Sequence, residues 1–333
     1  MGRAEVQTGY WLGIDVGSAR DKVLNFALIS ADAGGTASVV FERGAVRGPE
    51  RASWPRAASD YLELGATGWL SEPVRRGVDS ALDRSALVQR WLERRSRGTE
   101  PCGLAIDAPC GFAAAGWQRA TEAAAATSHA TATREDFLAK LVLYREQKND
   151  SPLFQRYIWK LVGLRVMHEL AARAGLAEPD GAAWPAVSVL CVSPDVRTGA
   201  FMREAFPSDT YARANGKLAV LRDDSRAMLD LVVSADWQYT GNDVCGASSV
   251  PTGRSQQRLG WQREAVLADL AAGRAAVPSM RKIEKDPSWA DLWDSLACAF
   301  VAFCESQGCA QFVLNGADVP AGEGAITAPV SVA

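Results

Sequence analysis

The chain has 333 residues, 48% of them hydrophobic and 23% charged, with a formal net charge of −3. That length can bury a sizeable core in one large domain or two ordinary ones, and the proportions exclude a wholly disordered or collagen-like protein. No apolar run reaches the roughly 18 residues of a membrane-spanning helix, and the slightly acidic balance excludes a strongly basic nucleic-acid coat while leaving room for a local basic groove.

The segment YWLGIDVGSARDKVLNFALIS opens the chain as two strands, an apolar run Trp11 to Val16 and a second run Val23 to Ile29. A third run, Ala37 to Glu42, follows the turn signal ADAGG. Connections this short cannot hold a crossover helix, so the three strands are expected to form an antiparallel meander. After an irregular stretch over 48–72, helical periodicity runs from Ser80 to Arg95 and stops at Gly98 and Pro101. GLAIDAP over 103–109 then reads as a buried strand. Strand, helix and strand make a β-α-β crossover, which favours a mixed sheet.

The Ala/Thr-rich stretch 113–133 reads as a loop or marginal helix, followed by helices over about 134–147 and 152–174. The second of these opens on Asp150-Ser151-Pro152, a cap with proline at the first helical position. Residues 113–185 together read as a loop and helical insertion in a single domain spanning 1–333. VSVLCVS and GAFMREAFP read as further strands, Ser225 to Val233 and Arg263 to Ala272 as helices, about 289–305 as a last helix, and Ala310 to Leu314 as a final strand. Composition makes 315–333 an irregular C-terminal tail.

The seven cysteines, odd in number and without a CxxC pair, go with the lack of a secretory signal in MGRAEVQTGY to predict reduced thiols in a cytoplasmic protein. His129 and His168 are the only histidines, so a structural zinc site is not expected. His168 reads as a partly buried surface histidine.

Asp15, Asp107 and Glu204 each interrupt or end an otherwise apolar strand, where a carboxylate is costly unless it is paired or binds a metal. In the last helix Asp291 and Asp294 stand at i and i+3 on one face. Asp291 also fits a capping box, Ser288-x-x-Asp291. Each acid alone has a structural reading as a turn, cap or ion-pair residue. Together, with no histidine or cysteine partner, they select a hard cation with oxygen ligands, Mg²⁺ or Mn²⁺. A pair of such ions can hold both the attacking water and the leaving oxygen of a phosphodiester.

Five segments, GIDVGSARDK, AIDAPCGF, REAFPSDTYARANG, DLWDSLACAF and EGAITAP, occur in an order that resembles an uncharacterised domain family of predicted RNase H-like nucleases. The anchors span residues 13–329. The resemblance implies an α/β fold: a five-stranded mixed sheet, its first three strands antiparallel, flanked by helices. It also implies a divalent-metal phosphodiesterase site with Asp15, Asp107, Glu204 and Asp294 as catalytic metal ligands, Asp291 as a further ligand, and Glu323 behind them. Ala290 stands where relatives often carry histidine, and Ser295 where they carry alanine.

The expected function is therefore a hydrolase, a metal-dependent nuclease acting on nucleic acid with no membrane partner. Arg20, Lys22, Arg213 and Tyr211 follow the acidic strands closely and are candidates for substrate contact; Trp117 is a further aromatic that can stack on a base. The arginines at 75, 76, 84, 90, 94, 95 and 97 form either a phosphate-facing stripe or a solvated helix face with i,i+4 pairs. Two alternatives remain. Asp15-Val16-Gly17-Ser18-Ala19 matches the first phosphate motif of actin-like ATP-dependent phosphotransferases, though their second phosphate loop and Gly-rich adenosine motif are not matched. A non-catalytic binding module on the same fold is the other.

Overall fold

The computed structural model describes residues 9–17, 23–31, 37–45, 49–65, 68–98, 102–125, 130–147, 152–176, 201–205, 237–239, 288–306, 310–314 and 318–329. The three N-terminal strands form as their apolar runs predict: β1 (Gly9–Val16), β2 (Val23–Ala31) and β3 (Ala37–Ala45). β1 pairs antiparallel with β2, and β2 with β3. They are not a purely antiparallel unit, because both outer members also take parallel neighbours. β1 runs parallel to β6 (Cys102–Asp107), and β3 runs parallel to β8 (Trp237–Tyr239).

Beyond β6 the sheet continues through β7 (Phe201–Ala205), β10 (Ile326–Pro329) and β9 (Ala310–Phe312), in the order β8-β3-β2-β1-β6-β7-β10-β9. The sheet is thus mixed, as expected, but it has eight strands among the described residues rather than five. The extra strands, β8, β9 and β10, are short and lie at or next to the sheet edges. β10 falls within the stretch read as an irregular tail; it gains strand structure by lying between β7, parallel, and β9, antiparallel. A separate two-stranded hairpin joins β4 (Leu62–Gly65) and β5 (Gly68–Leu70).

The single helix expected over 80–95 is two, α2 (Glu72–Arg84) and α3 (Ala86–Arg97), which follow the short α1 (Pro49–Ser53). Ser85 makes the break: its backbone is extended and its side chain caps α3 by accepting from Val88 N at 3.1 Å. Glu42 on β3 supports the same helix start, accepting from Ala86 N at 3.1 Å and Leu87 N at 2.9 Å. α3 ends at Gly98, whose φ of 62° few other residues adopt without strain. After the short α4 (Ala120–Ala124) come α5 (Arg134–Glu146) and α6 (Pro152–Arg173). These two are no appendage: Phe137, Leu141, Phe154, Ile158 and Leu161 are buried in one core with Leu12, Ile14, Phe26, Leu104 and Val88.

The two faces of the sheet are covered differently. Leu12, Ile14 and Val16 face the core shared with α2, α3, α5 and α6. The alternate residues, Trp11, Gly13 and Asp15, face the last helix, α7 (Ser288–Ser306): Trp11 meets Phe303 edge-on at 5.0 Å between ring centroids. α7 comes so close to β1 that a β-carbon on Gly13 would clash with the Ser295 carbonyl oxygen and the Ala299 amide. That contact brings Asp294, the residue before Ser295, over the end of β1 where Asp15 lies.

The helices expected over 225–233 and 263–272 and the strand VSVLCVS lie outside the described residues. His168 is not a surface residue. It is 1% exposed, and neither ring nitrogen has a hydrogen-bond partner among the described residues. On the arginine-rich helices, Arg76 pairs with Glu72 and Arg97 with Glu93 at i,i+4, and Arg94 lies over the Tyr10 ring, which favours the solvated-face reading.

Candidate functional site

Asp15 and Asp107 end two adjacent parallel strands and are direct register partners. Sharing a register position puts both side chains on the α7 side of the sheet. The two carboxyl groups lie within hydrogen-bonding reach of each other. Asp15 is 6% exposed. Burial, then the charges of Asp294, Asp107 and Asp291, hold its carboxyl well above the usual carboxylate range, opposed by a hydrogen bond from Asn25. Asp107 is likewise held well above that range by burial first, then by Asp294 and Glu204. The first turn of α7 thus presents Asp291 and Asp294 to the same pair. Four of the five expected acids thus lie on the α7 side at the carboxyl ends of β1 and β6.

Asn25, on β2, completes the row across the strands. It is the antiparallel partner of Asp15, and its Nδ2 donates to Asp15 Oδ2 at 3.1 Å. From α7, Cys298 faces the same acids; burial and the charges of Asp107, Asp15 and Asp294 push its thiol well up, so it stays protonated.

Glu204 does not join them. Ile106 is its register partner, so its side chain shares the face of Ile106 and Met202, away from α7. Its neighbour Arg203 takes the α7 side and pairs with Glu305 at 2.7 Å. Glu204 is gripped by Arg119, whose Nη1 and Nη2 donate to Oε2 at 2.6 Å and Oε1 at 2.5 Å. Cys110 N also donates to Glu204 Oε2, at 3.1 Å. Glu122 takes a bond from Arg119 Nε at 2.9 Å. Burial works against the Arg119 charge, and Glu204 and Glu122 more than restore it, leaving a guanidinium held well above its ordinary range. Glu204 therefore acts on the acid pair through its charge on Asp107, with its oxygens already engaged.

Glu323 has a structural task. Its two oxygens accept from Ala114 N at 2.8 Å and Ala120 N at 2.7 Å, fastening the loop that leaves Asp107. A cavity of about 20 Å³, room for one water, lies between Asp107, Arg119, Glu122, Lys160 and Glu204. Trp159 borders it and donates its indole N–H to the Val16 carbonyl. Trp117 stands in the fastened loop, 56% exposed, with the Lys140 ammonium 5.1 Å from its ring centroid. Arg20, Lys22, Tyr211, Arg213 and His129 lie outside the described residues.

Among the described residues, no three His, Cys, Asp or Glu side chains are arranged to hold a metal ion. The chemistry of the donors nonetheless suits one. Asp15 and Asp107 are adjacent carboxyls that both feel two further carboxylates, an arrangement that a hard divalent cation relieves and a soft metal does not.

Two participants escaped the sequence reading. Asn25 was legible in principle as the one polar residue inside VLNFALI. Arg119 gave no such signal, since nothing local marks an arginine in an Ala-rich loop as the buried partner of a glutamate 85 residues away. Among the described residues no helix is long and apolar enough to cross a membrane. No protein-family model, curated protein or solved structure matches the chain.

Proposed function

We propose that the chain is a divalent-cation-dependent phosphodiesterase of RNase H-like architecture, acting on nucleic acid. The observation that carries this reading is the register pairing of Asp15 with Asp107 beneath Asp291 and Asp294 of α7. The topology is in keeping with it: the first strand lies inside the sheet, a meander on one side, parallel strands on the other, and the last long helix over the acids.

Asp15, Asp107, Asp291 and Asp294 are the residues that would hold Mg²⁺ or Mn²⁺. Such a cation supplies charge neutralisation at a phosphodiester oxygen. The chain's own contribution is to fix the acid pair on adjacent strands, with Asn25 holding one oxygen of Asp15. Burial and neighbouring charge favour the protonated form of Asp15 and Asp107 while the pair is empty, so a bound cation would have to displace those protons. Glu204, held by Arg119, adds to the raising at Asp107.

The test is Mn²⁺ titration calorimetry together with cleavage of single- and double-stranded DNA and RNA. The wild type is expected to bind Mn²⁺ and cleave at least one of these substrates, with activity abolished by EDTA. Asp15→Asn is expected to lose about 100-fold or more. Absence of Mn²⁺ binding, or cleavage unchanged in Asp15→Asn, would overturn the proposal. The contact between the two carboxyls supports a second reading, a metal-free pair sharing one proton; hydrolysis that persists in EDTA yet disappears in Asp15→Asn and Asp107→Asn is its signature.

A further inference from the structure

β2 is apolar through its buried length except at Asn25, which is fully buried between Leu24 and Phe26. Its Nδ2 reaches Asp15 Oδ2, while its Oδ1 is buried with no hydrogen-bond partner among the described residues. A buried amide with one half unpaired is a poor structural choice, because the orphaned acceptor has lost water and gained nothing. Leucine has a similar size and would fill the same space without that penalty.

Asn25 does one thing that leucine cannot: it holds one oxygen of Asp15. Asp15 lies on the central strand of three, with Asn25 opposite it on β2 and Asp107 opposite it on β6. The amide fixes the carboxyl from the β2 side, and the carboxyl meets Asp107 from the other. Without the amide, Asp15 would be free to rotate away from its four-acid neighbourhood.

We propose that Asn25 is a positioning residue of the cation centre, orienting the Asp15 carboxylate for ion binding at some cost to the stability of the fold. The inference rests on the metal-dependent reading above and deepens it. Hydrogen-bond partners behind metal ligands are worth about 10–100-fold in metal affinity when removed.

The experiment uses the full chain, with Asn25→Leu and, should that variant fail to fold, Asn25→Ala. Melting temperature is measured without metal, and Mn²⁺ affinity by calorimetry and by the electron paramagnetic resonance signal of the bound ion. The expected result is a melting temperature equal to or above the wild type with Mn²⁺ affinity weakened about 10–100-fold. A folded variant with wild-type Mn²⁺ affinity overturns the inference while leaving the proposed function standing. So does a fall in melting temperature with unchanged affinity, or failure of both variants to fold, since each marks Asn25 as structural. A wild type that binds no Mn²⁺ overturns the metal-dependent reading itself, and this inference with it.

Discussion

Gly13 on β1 and Ser295 on α7 touch backbone to backbone: a β-carbon at Gly13 would lie against the Ser295 carbonyl oxygen, and 2.8 Å from the Ala299 α-carbon. The clashing atoms are main chain and cannot swing aside. Gly13→Ala must therefore push α7 away from the sheet, with Asp291 and Asp294 carried along. The expected loss is about 2–3 kcal/mol of unfolding free energy in urea, together with loss of Mn²⁺ binding. A variant of wild-type stability would show that the helix is not seated so closely.

The Arg119 cluster predicts a non-additive response. Arg119→Met leaves Glu204 and Glu122 buried without their cation, at a cost of about 3–5 kcal/mol. Adding Glu122→Gln and Glu204→Leu to the same chain removes the stranded charges and is expected to recover more than half of the loss. Denaturant melts of the single and triple variants check this; a triple variant no better than the single would mean that the cluster is held by packing instead.

Glu323→Ala removes the acceptors for Ala114 N and Ala120 N and is expected to cost about 2 kcal/mol. The effect should appear first as proteolysis between Phe112 and Arg119, before global unfolding. Glu323→Gln keeps one acceptor oxygen and should lose about half as much.

His168 gives the pH dependence. Burial lowers its folded pKa, and Arg165 adds to this, against the opposing charge of Glu169. The fold holds the ring neutral while the unfolded chain, with an ordinary pKa near 6.5, binds the proton more readily. Stability therefore rises with pH up to about 6.5 and is level above it, as far as this group decides. His168→Leu removes an imidazole whose nitrogens lack partners among the described residues. It should raise the melting temperature at pH 8, corresponding to about 1 kcal/mol, and raise it further at pH 5. An equal gain at both pH values would refute the titration argument.

The sequence carried those parts of the fold that local pattern decides. β1 to β3 follow from apolar runs and turn chemistry, and α5, α6 and α7 from helical patterning, with Pro152 at the first position of α6. β10 was illegible because four residues in a Gly/Ala-rich stretch become a strand only through partners on both sides. The carboxylates were legible as costly residues in apolar strands. Which of them meet was not, since pairing register sets the face: Asp107 shares a position with Asp15, whereas Glu204 shares one with Ile106. Only long-range pairing decides that, and it sends Glu204 to Arg119.

The fastening of Ala114 by Glu323 spans 209 positions of chain. During synthesis, Asp15 and Asp107 would both have left the ribosome long before the residue that locks the loop between them and α4. The loop behind Asp107 can thus be fastened only once nearly the whole chain has been made.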